Sequence, residues 1–276
     1  FEGDLRGYVG VAGPRGDGSH FDIGYDEYIG SVTEGEVEGE GQAEGEGEAG
    51  TDIVYVNIAN TSGQEDGLSW ATAYVDFQRG IDEAYRLGKT QVWVAQGEYR
   101  ELRDHSGTLV MRENINIYGG FYGNETHINE RNWSQNVTVV DGSQSDNGFP
   151  TAKVVMAAAH STFDGFTIQG GRGPSGAGMM VLGISPIISN CIFINNQATS
   201  VGGAMFVFQG ADPAISNCVF VENLAETSAG AILVINASIH LSGCAFYANG
   251  AKDGGALFFI TSAASIENSV FLNNTA

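Results

Sequence analysis

Four phenylalanines, Phe193, Phe220, Phe246 and Phe271, stand 27, 26 and 25 residues apart. Each opens a Phe-x-x-Asn, which closes at Asn196, Asn223, Asn249 and Asn274. Two residues before each Phe stands Cys191, Cys218, Cys244 or Ser269, and just before that Asn190, Asn217, Gly243 or Asn268. Further upstream, small-residue tripeptides begin at Gly176, Gly202, Ala229 and Gly254, and each leads into an apolar tetrapeptide: MMVL, MFVF, ILVI and LFFI. A fixed period in this range marks stacked repeats, and about 26 residues is too short for the common helical ones. Within a unit, Cys218 and Phe220 alternate with Val219 and Val221, as strand residues do. Asn and Gly interchange at one column, and these are the residues that most readily enter the left-handed αL region. A tight αL corner between short strands follows for every unit. Each unit is then one turn of a coil with three short strands, and equivalent residues stack about 4.8 Å apart. This is a parallel β-helix, an all-β solenoid. Its interior holds a Phe column, a Cys/Ser column and an apolar column at Ile188, Ile215, Leu241 and Ile266.

Upstream, FDGFTIQGG (163–171) reads as one rung earlier, with Gly165 in the αL column and Ile168 in the Phe column. TVVDG, NINIYGG and VWVAQGEY read as strands of earlier rungs. Before them Tyr74, Phe77, Ile81, Ala84 and Tyr85 fall at helical spacing, ended by Gly88. A helix there would cover the open end of the stack, since uncovered rungs expose strand edges and core. Eight or so rungs would make a body of roughly 40 Å.

A small tripeptide, an apolar strand, ISNC and FxxN together resemble the repeat of chlamydial polymorphic outer-membrane proteins, found also in secreted bacterial β-helix proteins. Four copies between Gly176 and Ala276 carry the resemblance; the third departs at Ala229 and Gly243, both compatible with the same geometry. The resemblance implies a right-handed coil and an extracellular or cell-surface location. The region DGLSWATAYVDFQRGIDEA also resembles the start of such modules. DLRGYVGVAGPRGDGSHFDIGYDEY, within residues 1–30, resembles the closing segment of a preceding module. Residues 31–51 hold seven Glu and no basic residue, a polar, self-repelling composition expected to be a disordered linker. Residues 52–276 then form a β-helix module, expected to lack its C-terminal cap.

The net charge is −21, and from Asp52 onward 20 acidic residues face 10 basic ones. That balance repels nucleic acid and anionic lipid surfaces. No apolar run approaches the 18 residues of a membrane span. The three Cys are odd in number and far apart, so they make neither a disulfide framework nor a metal motif; Ser269 in their column argues for small buried side chains. The FxxN asparagines read as corner residues whose amides bond neighbouring rungs. Glu222 and Glu226 share one rung, and Lys252 and Asp253 the next, so they could approach one another; turn charges are ordinarily solvated. His160 and Asp164 have helical rather than strand spacing and are not expected to meet. N-x-S/T sequons stand at Asn60, Asn124, Asn132, Asn136 and Asn236. No residue is singled out as catalytic, cofactor-binding or metal-ligating.

The apolar strands 179–182, 205–208, 232–235 and 257–260 are apolar at every position, so one alternate set must point outward. A continuous apolar run is expected where a sheet is covered on both faces, and a cover from another segment, module or partner is expected here. The expected role is structural, adhesive or ligand-presenting, with a polysaccharide, another surface protein or neighbouring β-helix modules as partners. The alternative is a carbohydrate-active enzyme, a polysaccharide lyase or glycoside hydrolase working in a groove along one sheet, with calcium as its possible cofactor. Fold alone does not choose between them.

Overall fold

The computed structural model describes residues 52–101, 107–145 and 149–276; the closing-segment and linker readings for residues 1–51 lie outside them. Every strand pair is parallel, and the strands wind a right-handed-type β-helix of about seven turns. One sheet has eight strands and runs from Ile53–Val56 to Ala263–Glu267; a second has seven, from Gly97–Tyr99 to Val270–Leu272; a third has six, from Leu109–Val110 to Leu257–Ile260. A three-stranded sheet (Arg172–Ser175, Gln197–Val201, Leu224–Ala225) adds a fourth side to the middle rungs.

The columns read from the sequence are those of the register. Ile168 lies beside Phe193, followed by Phe220, Phe246 and Phe271. The last four rings stack face to face at 4.9, 4.8 and 4.6 Å, within 7° of parallel. Ile188, Ile215, Leu241 and Ile266 are in register on the eight-stranded sheet. Gly165, Asn190, Asn217, Gly243 and Asn268 all take positive φ, between 49° and 83°.

A second left-handed corner falls one residue before each Phe-x-x-Asn asparagine, at Asn195, Glu222, Ala248 and Asn273, and one rung earlier at Gly170. It turns the next asparagine inward. Asn196, Asn223 and Asn249 have no exposed surface. Their Nδ2 groups donate to the carbonyls of Ile168, Phe193 and Phe220, one rung back, at 3.0, 2.9 and 2.8 Å. The Oδ1 atoms of Asn223, Asn249 and Asn274 accept from the asparagine of the preceding rung, and that of Asn196 accepts from Gly171 N, so the amides form a continuous ladder. Buried amides are tolerated because every donor and acceptor finds a partner.

The helix Phe77–Leu87 is set by its ends. Asp76 accepts from Arg79 N at 2.7 Å, and Gly88 closes it at φ 65°. Phe77, Ile81 and Ala84 join the interior together with Val54, Val56, Val92 and Leu109, so the helix covers the first rungs as expected. Tyr85 is the exception: it is 59% exposed, on the helix's outer face. A Cβ on Gly80 would collide with the Val56 side chain, so the close seat needs glycine. Gln78 stands in for a strand, accepting from Val110 N at 2.6 Å and donating to Val110 O at 2.8 Å. The edge of Ile53–Val56 is covered by the segment after it, since Tyr55 N donates to Gly67 O and Asn57 N to Tyr74 O.

On the six-stranded sheet, Met179, Val181, Met205, Val207, Ile232 and Val234 point inward and are fully buried. The outward set is therefore Met180, Leu182, Phe206, Phe208, Leu233, Ile235, Phe258 and Ile260. The described residues of the chain itself cover it only in part: Leu182 and Ile260 are each 43% exposed, and only Leu233 is buried. The set packs on itself, with Phe206 and Phe208 stacked at 5.4 Å. Four strands of four residues span roughly 250 Å², a patch that monomers carry.

Candidate functional site

The outer face of the eight-stranded sheet carries the richest grouping of polar and aromatic side chains. In Thr162–Asp164 the middle residue, Phe163, faces the interior, so Asp164 faces out. It follows Tyr55, Trp93 and Tyr118 in one outward column, which continues through Ser189, Ser216, Ser242 and Glu267. The N-terminal part of this face is roofed by aromatics: Tyr55, Trp93 and Phe121 form a separate buried cluster with Trp70, Tyr118 and Ile128 packed on it. The chain that follows Phe121 leaves the coil and returns at Thr138, and on the way it lays Arg131 over Asp164.

Asp164 is 6% exposed. Its Oδ1 contacts Arg131 Nη1 at 2.6 Å, an ion pair without an aligned hydrogen bond. Its Oδ2 accepts from Ser189 Oγ at 2.5 Å and Asn190 Nδ2 at 2.9 Å, both from the next rung. Arg131 Nη1 also donates to Gly119 O at 3.1 Å. The guanidinium lies 5.2 Å from the Tyr118 ring centroid and 5.0 Å from that of Trp133. Burial, with the Asp164 carboxylate second, pushes the Tyr118 phenol above its ordinary range. The geometry makes Arg131 a staple: it is sandwiched by aromatics, neutralises a buried carboxylate and pins its loop to the sheet. Both Asp164 oxygens are engaged, so acid–base work by this group requires the loop to lift.

A second anchored carboxylate lies on the seven-stranded sheet. Asp141 accepts from Arg100 Nε at 2.8 Å, from Ser143 N at 2.9 Å and from Ser143 Oγ at 2.9 Å. Burial alone would raise its pKa, but these bonds and the Arg100 charge outweigh it and hold the carboxyl below its usual range.

The charges weighed from the sequence are not assembled. Glu222, Glu226, Lys252 and Asp253 are all exposed, and no ion pair joins them. Asp212 instead meets His240 at 3.2 Å, and His160 meets Glu113 rather than Asp164. The thiols of Cys191, Cys218 and Cys244 are buried, and their Sγ atoms donate to the carbonyls of Ser189, Ser216 and Ser242. Burial pushes the Cys218 and Cys244 thiols up, away from reactive thiolate. Among the described residues no group of three or more His, Cys, Asp or Glu is placed to hold a metal ion.

Among solved structures the chain is similar to the pectin methylesterase from Aspergillus niger. In its penultimately deglycosylated form the identity is 14%, over 84% of this chain and 88% of that one, with a TM-score of 0.35. In the deglycosylated form the identity is 11%, over 82% and 85%, with a TM-score of 0.31. Likeness at this level carries neither residues nor activity across. No family model and no curated protein matches the chain.

The sequence reading missed Arg131, Tyr118 and Trp133. A signal for the site was present: Asp164 puts a charge in a column between aromatic residues and three serines. Nothing in the sequence named Arg131 as its partner, because the loop that brings it over has no repeat counterpart.

Proposed function

We propose that this chain is a secreted or surface-displayed β-helix module with a structural, adhesive or ligand-presenting role. The observation that carries the reading is the state of Asp164: one oxygen of this buried carboxylate pairs with Arg131 of the loop and the other is bonded to the next rung. The in-register asparagine and phenylalanine ladders support it too, since they make successive rungs one stiff body. The likeness of the repeats to those of polymorphic outer-membrane and other secreted bacterial β-helix proteins supports the extracellular location. A polysaccharide or another surface protein is the partner such a body would present or meet, along with neighbouring modules of like build.

A second reading, a carbohydrate-active enzyme, draws on one observation. Tyr118 stands beside Asp164 on an outer sheet face and Trp133 lies against its partner Arg131, and aromatic rings near a carboxylate suit a sugar. A panel of polysaccharides, assayed for binding and for cleavage with and without calcium, decides between the two. Binding without cleavage is expected. Cleavage of any member that is lost in Asp164→Asn overturns the structural reading.

A further inference from the structure

To the sequons at Asn60, Asn124, Asn132, Asn136 and Asn236 the sequence adds a further one at Asn273, completed by Thr275. The motif makes an asparagine a candidate acceptor of an N-linked glycan, and the fold decides which amide can be reached. Asn60 Nδ2 is spent on Ala73 O at 2.6 Å and Gln64 O at 2.9 Å, and Asn136 Nδ2 on Gly120 O at 3.3 Å. Asn236 and Asn273 sit at left-handed corners of stacked rungs. Asn236 is bonded on both sides, to Ile260 O and from Gly210 N, and Asn273 directly precedes the ladder residue Asn274. Asn124 is tied to Glu125, which accepts its N–H and is itself buried, with its carbonyl held by Trp70 Nε1.

Asn124, Asn236 and Asn273 are held through their backbones only and are exposed, so an open amide does not by itself choose among them. Asn132 is exposed too, on the loop outside the coil, and differs in the hydroxyl and the acid beside it. Its Oδ1 accepts from Ser134 Oγ at 2.8 Å and from Ser134 N at 3.2 Å. Its Nδ2 has no hydrogen-bond partner among the described residues. The hydroxyl that defines the sequon thus already polarises the amide oxygen and leaves the nitrogen free. Two residues earlier stands Glu130, also exposed, whose Oε2 accepts from Thr126 N at 2.7 Å and His127 N at 3.1 Å; its charge is one that a transferase with a cationic peptide site can read.

We propose that Asn132 is the acceptor for an N-linked glycan, supplied from a polyprenyl-diphosphate oligosaccharide by a transferase that reads Glu130. Nδ2 attacks the anomeric carbon and a C–N bond forms. The C–O bond to the diphosphate breaks with its electron pair leaving on the diphosphate, and the amide proton passes to a base of the transferase. The inference rests on the exported reading, because such donors serve exported chains.

The test incubates the purified, folded chain with a single-subunit oligosaccharyltransferase that requires an acidic residue before the sequon, and its lipid-linked donor. Intact mass and glycopeptide sequencing are the readouts. One glycan at Asn132 is expected, lost in Asn132→Gln and Ser134→Ala and kept in Asn124→Gln. Glu130→Gln, whose amide can still accept the loop's hydrogen bonds, is expected to slow transfer at least 10-fold. No transfer to the folded chain, transfer at another asparagine, or an unaffected Glu130→Gln overturns the proposal. Since the reaction needs no export, a chain that is glycosylated here but retained by its own cell refutes the location and leaves the acceptor standing.

Discussion

Replacing Asn223 with Ala removes one rung of the amide ladder from its middle. The side chain has no exposed surface and takes part in four bonds. Its Nδ2 donates to Phe193 O and Asn249 Oδ1, and its Oδ1 accepts from Asn196 N and Asn196 Nδ2. Asn196 Nδ2 keeps Ile168 O, and Asn249 Oδ1 keeps the Asn223 N–H. The Asn196 N–H loses the bond shown for it in a site closed to water, whereas the Phe193 carbonyl keeps its place in the ladder with the next rung. A buried unsatisfied group costs about 1–3 kcal/mol, so Asn223→Ala is expected to cost about 1–3 kcal/mol. Asn274 makes analogous bonds on the last rung, where it is only half-buried, and water can replace what is lost. Asn274→Ala is expected to cost about 1 kcal/mol or less. Urea unfolding followed by circular dichroism and by intrinsic fluorescence gives both numbers, with agreement of the two probes as the check on cooperativity. If the two variants are equally stable, or if Asn223→Ala costs under about 1 kcal/mol, the ladder does not hold the rungs as argued.

Three other outcomes are expected. Arg131→Ala strips the partner from a buried carboxylate and should lower stability by about 3–5 kcal/mol in the same assay, whereas Arg131→Ala in an Asp164→Asn background should cost clearly less. Asp141 has a depressed pKa in the folded state, so its contribution is present above the unfolded carboxyl value and is lost as pH falls through the folded one. Stability measured from pH 6 to pH 2 should therefore fall more steeply below about pH 4 in the native chain than in Asp141→Asn. Cys191, Cys218 and Cys244 should resist a thiol reagent at pH 8 in the folded chain and react fully in urea, because all three are buried out of reach and burial also pushes the Cys218 and Cys244 thiols up.

The sequence by itself determined the rung. Phe193, Phe220, Phe246 and Phe271 had to stack because nothing but a coil of one repeat length puts them at one place. Asn190, Asn217, Gly243 and Asn268 had to turn the chain because they tolerate positive φ. Local chemistry suffices for such features, and repetition makes it visible. The second corner was not legible. Glu222 and Ala248 adopt φ values of 53° and 52° although neither residue favours them. The chain bends there because the next asparagine is locked between two rungs, a constraint that exists only once the rungs are stacked. The direction of MMVL, MFVF, ILVI and LFFI was equally open, as four apolar residues in a row carry no alternation; only the corner that precedes each strand decides which pair enters the core. Asp164 and Arg131 lie 33 residues apart, and a loop without a repeat counterpart joins them. Periodic contacts repeat and can be read from a single chain, whereas a contact made once, across a loop, exists only when the tertiary structure closes it.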